Sequence, residues 1–369
     1  MKYIEKLLQG AEVEWTTLGD EKFIEIANTS RRPVKASNRI AGNTPYYGAN
    51  NIQDYVEGYT HDGTYVLVAE DGTTSVENYS VQWATGKFWA NNHVHVLRGI
   101  DCVNSRFLFH YLRIVDFAPF LTGGGRAKLT KKDLIRIPIP IPPLHVQREI
   151  VRILDKFTEL ETELETELAL RKQQYERYRD QLLSPDKGLS ETEVEWKKLG
   201  EVAELRRGRV ISKGYLNENA GLYPVYSSQT ENMGEIGRIR TFDFDQESIT
   251  WTTDGAKAGT VFHRKGRFSI TNVCGLIKIR DIQAIGYRYL YYWLSIEAKK
   301  HVYLGMGNPK LMSNQMERVP IPIPPLHVQQ EIARILDKFT ELETELETEL
   351  ELRKQQYAYY RDQLLSFER

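Results

Sequence analysis

The sequence predicts an α+β protein in which two similar mixed α/β domains are separated by two long helices that form an antiparallel intramolecular coiled coil. Three observations support this fold class. The 47-residue segment 138–184 recurs at 320–366 with 42 identical residues. Each copy contains about 40 residues without glycine or proline. The stretch before each copy combines short β-rich runs, Asp-Gly turn signals and shorter helical runs, which is typical of a mixed domain.

The repeated segment begins with an extended lead and continues as one helix. Four prolines between positions 138 and 143 fix an extended backbone and remove amide donors, so the helix cannot begin before Leu144. No glycine or proline follows until Pro185. At 1.5 Å per residue, about 40 helical residues would span about 60 Å.

Each predicted helix carries a narrow apolar stripe, because its apolar residues recur every three or four positions. The packing positions are Ile153, Phe157, Leu160, Leu164, Leu168, Ile335, Phe339, Leu342, Leu346 and Leu350. A stripe of this kind needs a partner helix, and the simplest partner is the second copy in the same chain. An antiparallel pair would hold the two domains at its opposite ends and act as a ruler. A solvated charged helix with a packing stripe is the alternative interpretation.

The two globular domains share sparse landmarks. Residues 45–48 (PYYG) correspond to 224–227 (PVYS), and residues 88–92 correspond to 268–272. The glycine-rich stretch 123–129 (GGGRAKL) corresponds to 305–311 (GMGNPKL). We therefore expect two similar folds with different surfaces, an arrangement suited to reading two different short sequences.

Charge is unevenly distributed along the chain. The formal net charge is −1, but residues 144–184 and 326–369 together carry 13 basic and 19 acidic side chains. The rest of the chain therefore carries a net charge of +5, of which +4 lies in residues 185–325. This distribution permits a local positive field and nucleic-acid binding without establishing either.

Composition favours a cytoplasmic protein. Only Cys102 and Cys274 are present, too few for a disulfide framework or a cysteine-based zinc site. The sequence has neither an apolar run of membrane-spanning length nor a signal-peptide pattern. We expect two reduced thiols.

Several motifs together resemble the type I restriction-modification specificity subunits. They are the P-I-P-x-P-P-L lead, the Q-x-E-I-x-x-I-L-D core of the helix and the tandem T-E-L-E repeats that follow it. The resemblance covers essentially the whole chain and is strongest to the group with four-residue repeats in the spacer helix. It divides the chain into target-recognition domain 1 (1–142), a central helix (143–184), target-recognition domain 2 (185–324) and a C-terminal helix (325–369).

The resemblance implies a non-catalytic subunit that reads a bipartite, interrupted site in double-stranded DNA. It implies that the helices dock two adenine-methyltransferase subunits and that restriction subunits join through that complex. The length of the spacer helix would set the gap between half-sites. S-adenosylmethionine, ATP and Mg²⁺ are expected on the partner subunits and no cofactor on this chain. The resemblance also implies a bacterial or archaeal protein associated with the nucleoid.

The glycine-rich stretches are the first candidates for DNA contact. Glycine lets the backbone approach a phosphate closely, arginine can bind guanine with two hydrogen bonds, and asparagine suits adenine. The candidates there are Arg126, Lys128, Lys131 and Lys132 in the first domain and Asn308, Lys310 and Asn314 in the second. A solvated basic loop before a helix is the alternative interpretation. Secondary candidates, for which packing or turn roles are equally open, are Tyr47, Asn50, Asn51, Tyr226, Ser228 and Gln229. Arg206, Arg207 and Arg209 are expected to contact phosphates, which position DNA without specifying it.

The sequence gives no sign of catalytic machinery. It contains neither the N-P-P-Y motif of an adenine methyltransferase nor the G-x-x-x-x-G-K-[ST] loop of a motor. Asp186, Glu195 and Lys197 mimic a nuclease pattern, but we interpret this as chance because the first half lacks the lysine. No metal site is expected, and His93 and His95 are predicted to face outward from a strand. A coiled-coil adaptor for proteins and a self-sufficient methyltransferase or nuclease are the competing hypotheses.

Overall fold

The computed structural model describes residues 3–72, 78–123, 127–184, 194–305 and 307–368. It divides the chain into two compact units. Unit 1 comprises Met1–Glu165 and Glu349–Arg369, and unit 2 comprises Thr166–Thr348. Each unit contains one globular domain with the beginning of one long helix and the end of the other. None of the helices in the described ranges is long and apolar enough to cross a membrane.

Unit 1 contains short helices and one six-stranded sheet. In chain order its elements are α1 (Tyr3–Leu8), β1 (Glu14–Thr17), β2 (Ile24–Ile26), β3 (Ala41–Tyr47), β4 (Ile52–Val56), β5 (His61–Ala69), β6 (Val81–Ala90), β7 (Val94–Gly99), α2 (Ser105–Leu112), α3 (Lys131–Leu134) and β8 (Pro138–Ile141), after which α4 (Leu144–Leu182) begins. The sheet has the strand order β2-β7-β5-β6-β3-β4. All neighbours are antiparallel except β3 and β6.

Unit 2 repeats this plan with its sheet divided in two. Its elements are β9 (Glu195–Lys198), α5 (Leu199–Val202), β10 (Ala203–Arg207), α6 (Lys213–Glu218), β11 (Ala220–Tyr226), β12 (Glu235–Ile239), β13 (Phe244–Asp245), β14 (Ser248–Thr252), β15 (Val261–Arg264), β16 (Arg267–Ile270), β17 (Cys274–Ile279), α7 (Tyr287–Lys300), α8 (Ser313–Met316), β18 (Pro320–Ile323) and α9 (Leu326–Leu365). The sheets have the orders β10-β17-β14-β15 and β12-β11-β16-β13. The single strand β6 of unit 1 thus corresponds to β15 and β16, which are separated at Gly266. The prediction of two similar folds is confirmed.

The proline-rich leads are short edge strands. Among the described strands β8 has β1 as its single neighbour, and Pro140 lies opposite Trp15; β18 pairs with β9 in the same way. Proline has no amide donor and is therefore tolerated on an edge strand, where one side needs no partner. Alternation with proline directs Ile139 and Ile141 into the core of unit 1.

The long helices begin where the leads end. α4 has 39 residues and α9 has 40, each starting directly after a Pro-Pro pair, as predicted. In unit 1, Phe157 stacks on Tyr360 with ring centroids 5.4 Å apart, and Lys354 Nζ lies 2.8 Å from a Glu165 carboxylate oxygen. Residue numbers rise along one helix as they fall along the other, so the helices are antiparallel.

In unit 2 the end of α4 packs against the beginning of α9 in the same antiparallel way. Tyr178 stacks on Phe339 at 5.4 Å, and Lys172 Nζ lies 2.6 Å from Glu347. The ten predicted packing residues are all half-buried, as expected for one face of a two-helix pair. Deeper burial occurs where the helices meet the domains, at Val146, Ile150 and Leu154 of α4.

Candidate functional site

The glycine-rich loop of unit 1 is closed by its own backbone. Thr122 and Lys128 exchange two N–H···O bonds of 2.8 Å, and Asp71 forms a bridge with Lys128. The Leu129 amide donates to the Glu70 carbonyl at 2.7 Å. Arg126 lies outside the described residues, so its predicted DNA contact stays a prediction.

The charge of Lys128 is matched inside the protein. Its Nζ lies 3.3 Å from Glu70, which also accepts a 2.7 Å hydrogen bond from Arg31. Burial would raise the pKa of Glu70, but Arg31 and Lys128 outweigh it and hold that pKa below its usual range. Lys128 therefore holds the base of the loop while its half-exposed side chain remains accessible to a ligand. Lys131 and Lys132 begin α3 and are exposed.

A buried histidine anchors this loop from below. His95 is fully buried on β7, accepts a hydrogen bond from the Asn28 amide at Nδ1 (2.9 Å), and donates from Nε2 to the Leu129 carbonyl (2.8 Å). Burial lowers the pKa of His95, which favours the neutral ring that these two bonds require. The prediction of outward-facing histidines was wrong for His95, because loop packing over the strand was not visible in its alternation. His93 precedes β7 and contacts Asp71.

The loop of unit 2 is anchored at the same point by a different residue. Tyr303 and Lys310 exchange backbone bonds of 2.8 and 3.0 Å, with Asp254 bridged to Lys310. The buried Trp251 donates from Nε1 to the Leu311 carbonyl at 2.9 Å. Asn308 in the loop and Asn314 on α8 are both exposed. Both units thus present a closed loop followed by a helical turn that carries polar, exposed side chains.

The indole and the imidazole come from opposite members of one cross-strand pair. His95 lies opposite Val68 in unit 1, and Trp251 lies opposite Gly275 in unit 2. A Cβ atom at Gly275 would be 2.2 Å from the Trp251 ring, so the large side chain on one strand excludes any on the other. The large anchoring side chain thus stands on β7 in unit 1 and on β14 in unit 2. The strand register is needed to recognise that the two positions face each other.

The β3–β4 turn of unit 1 lies beside the glycine-rich loop. Asn50 donates from Nδ2 to the Gly72 carbonyl at 2.8 Å, next to the Asp71–Lys128 bridge. Asn51 caps the turn by accepting from the Ile52 amide at 2.8 Å. Tyr47 packs edge-on against Phe88, so its ring is partly a packing residue. The structure therefore brings Asn50 and Lys128 to one surface.

The equivalent turn of unit 2 is longer and was not predicted as a special feature. Gln229 donates to the Glu235 carbonyl at 2.7 Å, and Ser228 is half-buried. Asn232 and Met233 both adopt left-handed backbone conformations with φ of 46° and 51°. Strained residues of this kind are held only where the surroundings fix them.

A buried arginine fixes that turn. Arg264 is 5% exposed, bonds to the Met233 carbonyl and to Thr250 Oγ1, and lies 3.5 Å from the centre of the Tyr226 ring. Burial lowers the pKa of Arg264, and the tyrosine face and neutral oxygens take the place of water around its charge. Tyr226 is thus the platform for Arg264.

Three further arginines were predicted to meet phosphates, and each has an internal partner. Arg206 bonds to Glu204 at 2.7 Å, Arg207 to the Asn272 carbonyl at 2.9 Å, and Arg209 to Asp243 at 3.1 Å. Arg206 and Arg209 are largely exposed, so DNA would have to compete only with weak surface pairs. Their role in phosphate binding stays a prediction.

The nuclease-like pattern is not assembled as a site in the described residues. Lys197 Nζ pairs with Glu195 at 3.0 Å on strand β9, and Asp186 lies outside the described ranges. Across the part of the chain that the structure describes, no three histidine, cysteine, aspartate or glutamate residues cluster as metal ligands.

The Q-x-E-I-x-x-I-L-D core joins each helix to its domain. Gln147 is fully buried, accepts from the Asn104 amide at 2.8 Å and donates to the Cys102 and Pro142 carbonyls at 2.9 and 2.8 Å. Gln329 makes the same three bonds in unit 2, to Gly286, Ala284 and Pro324.

The aspartate of the same core receives hydrogen bonds from the domain. Asp155 accepts from Arg106 and His110, each at 2.8 Å, and Asp337 accepts from Arg288 at 2.8 Å and from Tyr292 at 2.6 Å. Burial would raise the pKa of Asp155, but these hydrogen bonds outweigh it and hold that pKa below its usual range.

A groove opens along the first four turns of α9 in unit 2. Its volume is about 770 Å³. α9 contributes Leu326, Gln329, Gln330, Ala333, Arg334, Asp337, Lys338 and Glu341, and the rest of the lining comes from the start of α7, the preceding turn and Glu247. Six of these eight α9 residues are identical at the equivalent positions of α4. The two helices therefore carry nearly the same outward face.

The comparisons with known proteins address both sequence and fold. Residues 12–170 and 191–352 each match the family model described as type I restriction modification DNA specificity domain. A Haemophilus influenzae protein named as a type I restriction enzyme specificity subunit is 43% identical over 387 aligned residues, covering 99% of this chain and 98% of that protein.

Two solved structures share the fold. The S subunit of a type I restriction-modification system from M. genitalium has a TM-score of 0.72 at 15% identity, covering 100% of both chains. A chain from a study of complex assembly and conformational transition of the type I R-M system has a TM-score of 0.54 at 16% identity, covering 96% of this chain and 98% of that one. At these identities the likeness concerns the fold alone.

Proposed function

The chain belongs to the family of type I restriction-modification DNA specificity subunits, and from this premise we propose that it reads an interrupted site in double-stranded DNA. Unit 1 reads one half-site and unit 2 the other. The observation that carries this proposal is the pair of equivalent loops, 122–129 and 303–311, anchored by one buried donor each yet bearing different exposed side chains. Equal scaffolds with unequal surfaces suit two different short sequences.

The near-identical outward faces of α4 and α9 are proposed to dock two copies of one methyltransferase subunit. Two nearly identical surfaces are expected to bind two copies of the same partner. Restriction subunits join through that core. S-adenosylmethionine, ATP and Mg²⁺ bind to those partner subunits. This chain contributes DNA recognition and no catalysis. The absence of methyltransferase and motor motifs from its sequence supports this division of roles.

The primary test is single-molecule sequencing of DNA from cells that express this chain with its methyltransferase, scored for N6-methyladenine. We expect a bipartite motif with an unread gap, and its loss when the gene is deleted. A complex that forms but methylates no such motif would contradict the proposal and favour a protein-binding adaptor.

The proposed docking of methyltransferase subunits on the outward faces of α4 and α9 has a separate test. Arg334 is exposed, lines the groove and pairs with Glu331; Arg152 is its equivalent on α4 and pairs with Glu149. R334E or R152E should reduce the methyltransferase subunits counted by native mass spectrometry from two to one, and the double variant should bind none. R353E is the matched control, because Arg353 pairs with Glu349 on the same helix away from the groove.

A further inference from the structure

A polar recess of about 350 Å³ lies in unit 1 between the start of β6 and the ends of α2 and α9. We call it the arginine recess. Its polar lining consists of Asn50, Asn78, Ser80, Gln82, Arg113 and Arg361. No sequence motif pointed to it, because its residues come from four separate parts of the chain.

The two arginines are arranged around one tyrosine. Arg113 follows the last turn of α2 and donates from Nη1 to the Tyr357 hydroxyl at 3.4 Å. Arg361 holds its guanidinium 5.9 Å from the centre of the same ring and pairs with Asp362 at 2.7 Å. Among the described residues, Asp362 pairs with Arg361 and Glu161 is a second carboxylate within electrostatic reach of Arg113. The recess therefore offers two guanidinium groups as donors, each with one neighbouring carboxylate in that part of the chain.

The recess continues the candidate DNA surface. Gln82 donates from Nε2 to the Gly48 and Ala49 carbonyls, both at 3.1 Å, and so holds the turn that carries Asn50. Asn50 in turn donates to Gly72, beside the bridge that closes the glycine-rich loop. A duplex read at that loop would therefore run past the mouth of the recess.

Gln82 also leaves an acceptor in the recess wall. Its Oε1 is buried and has no hydrogen-bond partner among the described residues. An arginine N–H, or a water held by a bound anion, would satisfy it. Paired guanidinium groups with amide and hydroxyl side chains beside them form a donor set suited to a tetrahedral oxyanion.

We propose that the arginine recess binds one backbone phosphate of the DNA half-site read by unit 1. This inference rests on the proposed function and assigns a contact that positions the duplex between the glycine-rich loop of unit 1 and the helix pair.

Unit 2 lacks the residues that would make an equivalent site. Arg179 pairs with Asp180 at 2.8 Å beside Tyr175, as Arg361 does with Asp362 beside Tyr357. Gln147 contacts the residue before α2, and Gln329 contacts the residue before α7. Counting along each helix from that residue makes Ser295 the equivalent of Arg113. The position equivalent to Gln82 is Phe262, given by the strand pairings. Arg179 is therefore a matched control within the same chain.

The test is the salt dependence of DNA binding by the complex of the full chain with its methyltransferase, on a duplex that carries the methylated motif. Each phosphate contact that is lost lowers the slope of log affinity against log salt by about 0.9. We expect R113Q with R361Q to lower it by about one contact and to weaken binding about tenfold at low salt. R179Q should leave the slope unchanged, and R113K with R361K should restore it. A double glutamine variant that behaves like R179Q would overturn the inference.

A second measurement uses the unmodified protein. Replacing phosphates of the half-site one at a time by neutral methylphosphonates should reveal one position in the half-site of unit 1 that weakens binding, and that penalty should vanish in the glutamine variant. Inorganic phosphate, titrated without DNA, distinguishes a free-ion site, which would bind it without any methylphosphonate-sensitive position and would overturn the inference. A wild-type complex without sequence preference would instead overturn the proposed function itself.

Discussion

Swapping one cross-strand pair between the units tests how the loop 303–311 of unit 2 is anchored. The swap replaces Trp251 and Gly275 by the residues that unit 1 carries at the equivalent positions. In unit 1 the pair is Val68 and His95, both fully buried. We expect the double variant W251V with G275H to recover the bond to the Leu311 carbonyl through the imidazole. Each single change should be severe on its own.

The magnitudes follow from the contacts. W251V removes most of a fully buried indole and its 2.9 Å hydrogen bond, which should cost unit 2 about 3–5 kcal/mol of unfolding free energy. G275H places side-chain atoms where a Cβ alone meets the indole at 2.2 Å, and should cost at least about 3 kcal/mol. Together the changes relieve the clash and refill the space, so we expect a coupling of about 2 kcal/mol or more.

The assay is urea unfolding followed by circular dichroism, with hydrogen exchange of the Leu311 amide, which donates to Thr253, as a local probe. The reciprocal pair V68W with H95G in unit 1 is the control for direction. Additivity of the two single costs within about 0.5 kcal/mol would refute the reasoning, because it would mean that the two positions do not share one space.

Three further predictions concern the helix junctions, the helix pair and the unit 2 turn. Q147L and Q329L should each cost about 2–4 kcal/mol in thermal or urea unfolding, because each leaves one buried and two partly buried backbone groups without the glutamine as partner; a loss below about 0.5 kcal/mol would contradict this role. Burial raises the pKa of Glu161 and Glu343 above their ordinary 4.5, so the stability they contribute is complete below about pH 4.5 and is lost as the pH rises through the folded value. E161L with E343L should therefore unfold at higher urea than wild type at pH 7 and should show a smaller gain on acidification, with E163L as the exposed control; an unchanged pH profile would contradict the assignment. R264M should release the turn at Asn232–Met233 and make the methylated motif degenerate only in the half read by unit 2. R264K should give no rescue, because the single ammonium nitrogen cannot take the places of the two guanidinium nitrogens, Nε and Nη2, that make the two bonds; an unchanged motif would contradict the positioning role.

The sequence by itself determined the architecture of each part. The Pro-Pro pairs predicted where α4 and α9 begin, since proline excludes a helix before them, and the absence of later breakers predicted helices of the observed length. The apolar stripe required a partner, and near-identical copies made an antiparallel pair within the chain the simplest one. The landmarks shared by the two domains predicted equal folds, because turn glycines and core aromatics such as Phe88 and Phe268 are set by local backbone and packing needs.

Only the tertiary structure decided which residues act together. Antiparallel pairing brings the end of α9 into unit 1, so Arg361 meets Arg113 across 248 positions of sequence. Strand register places the loop anchor on β7 in one unit and on β14 in the other, although the amino acids at equivalent positions differ in type and size. Local patterns report which face of an element is apolar, whereas hydrogen-bond partners and ion pairs depend on which distant elements pack against that face. That is why the sequence was sufficient for the fold but not for the site.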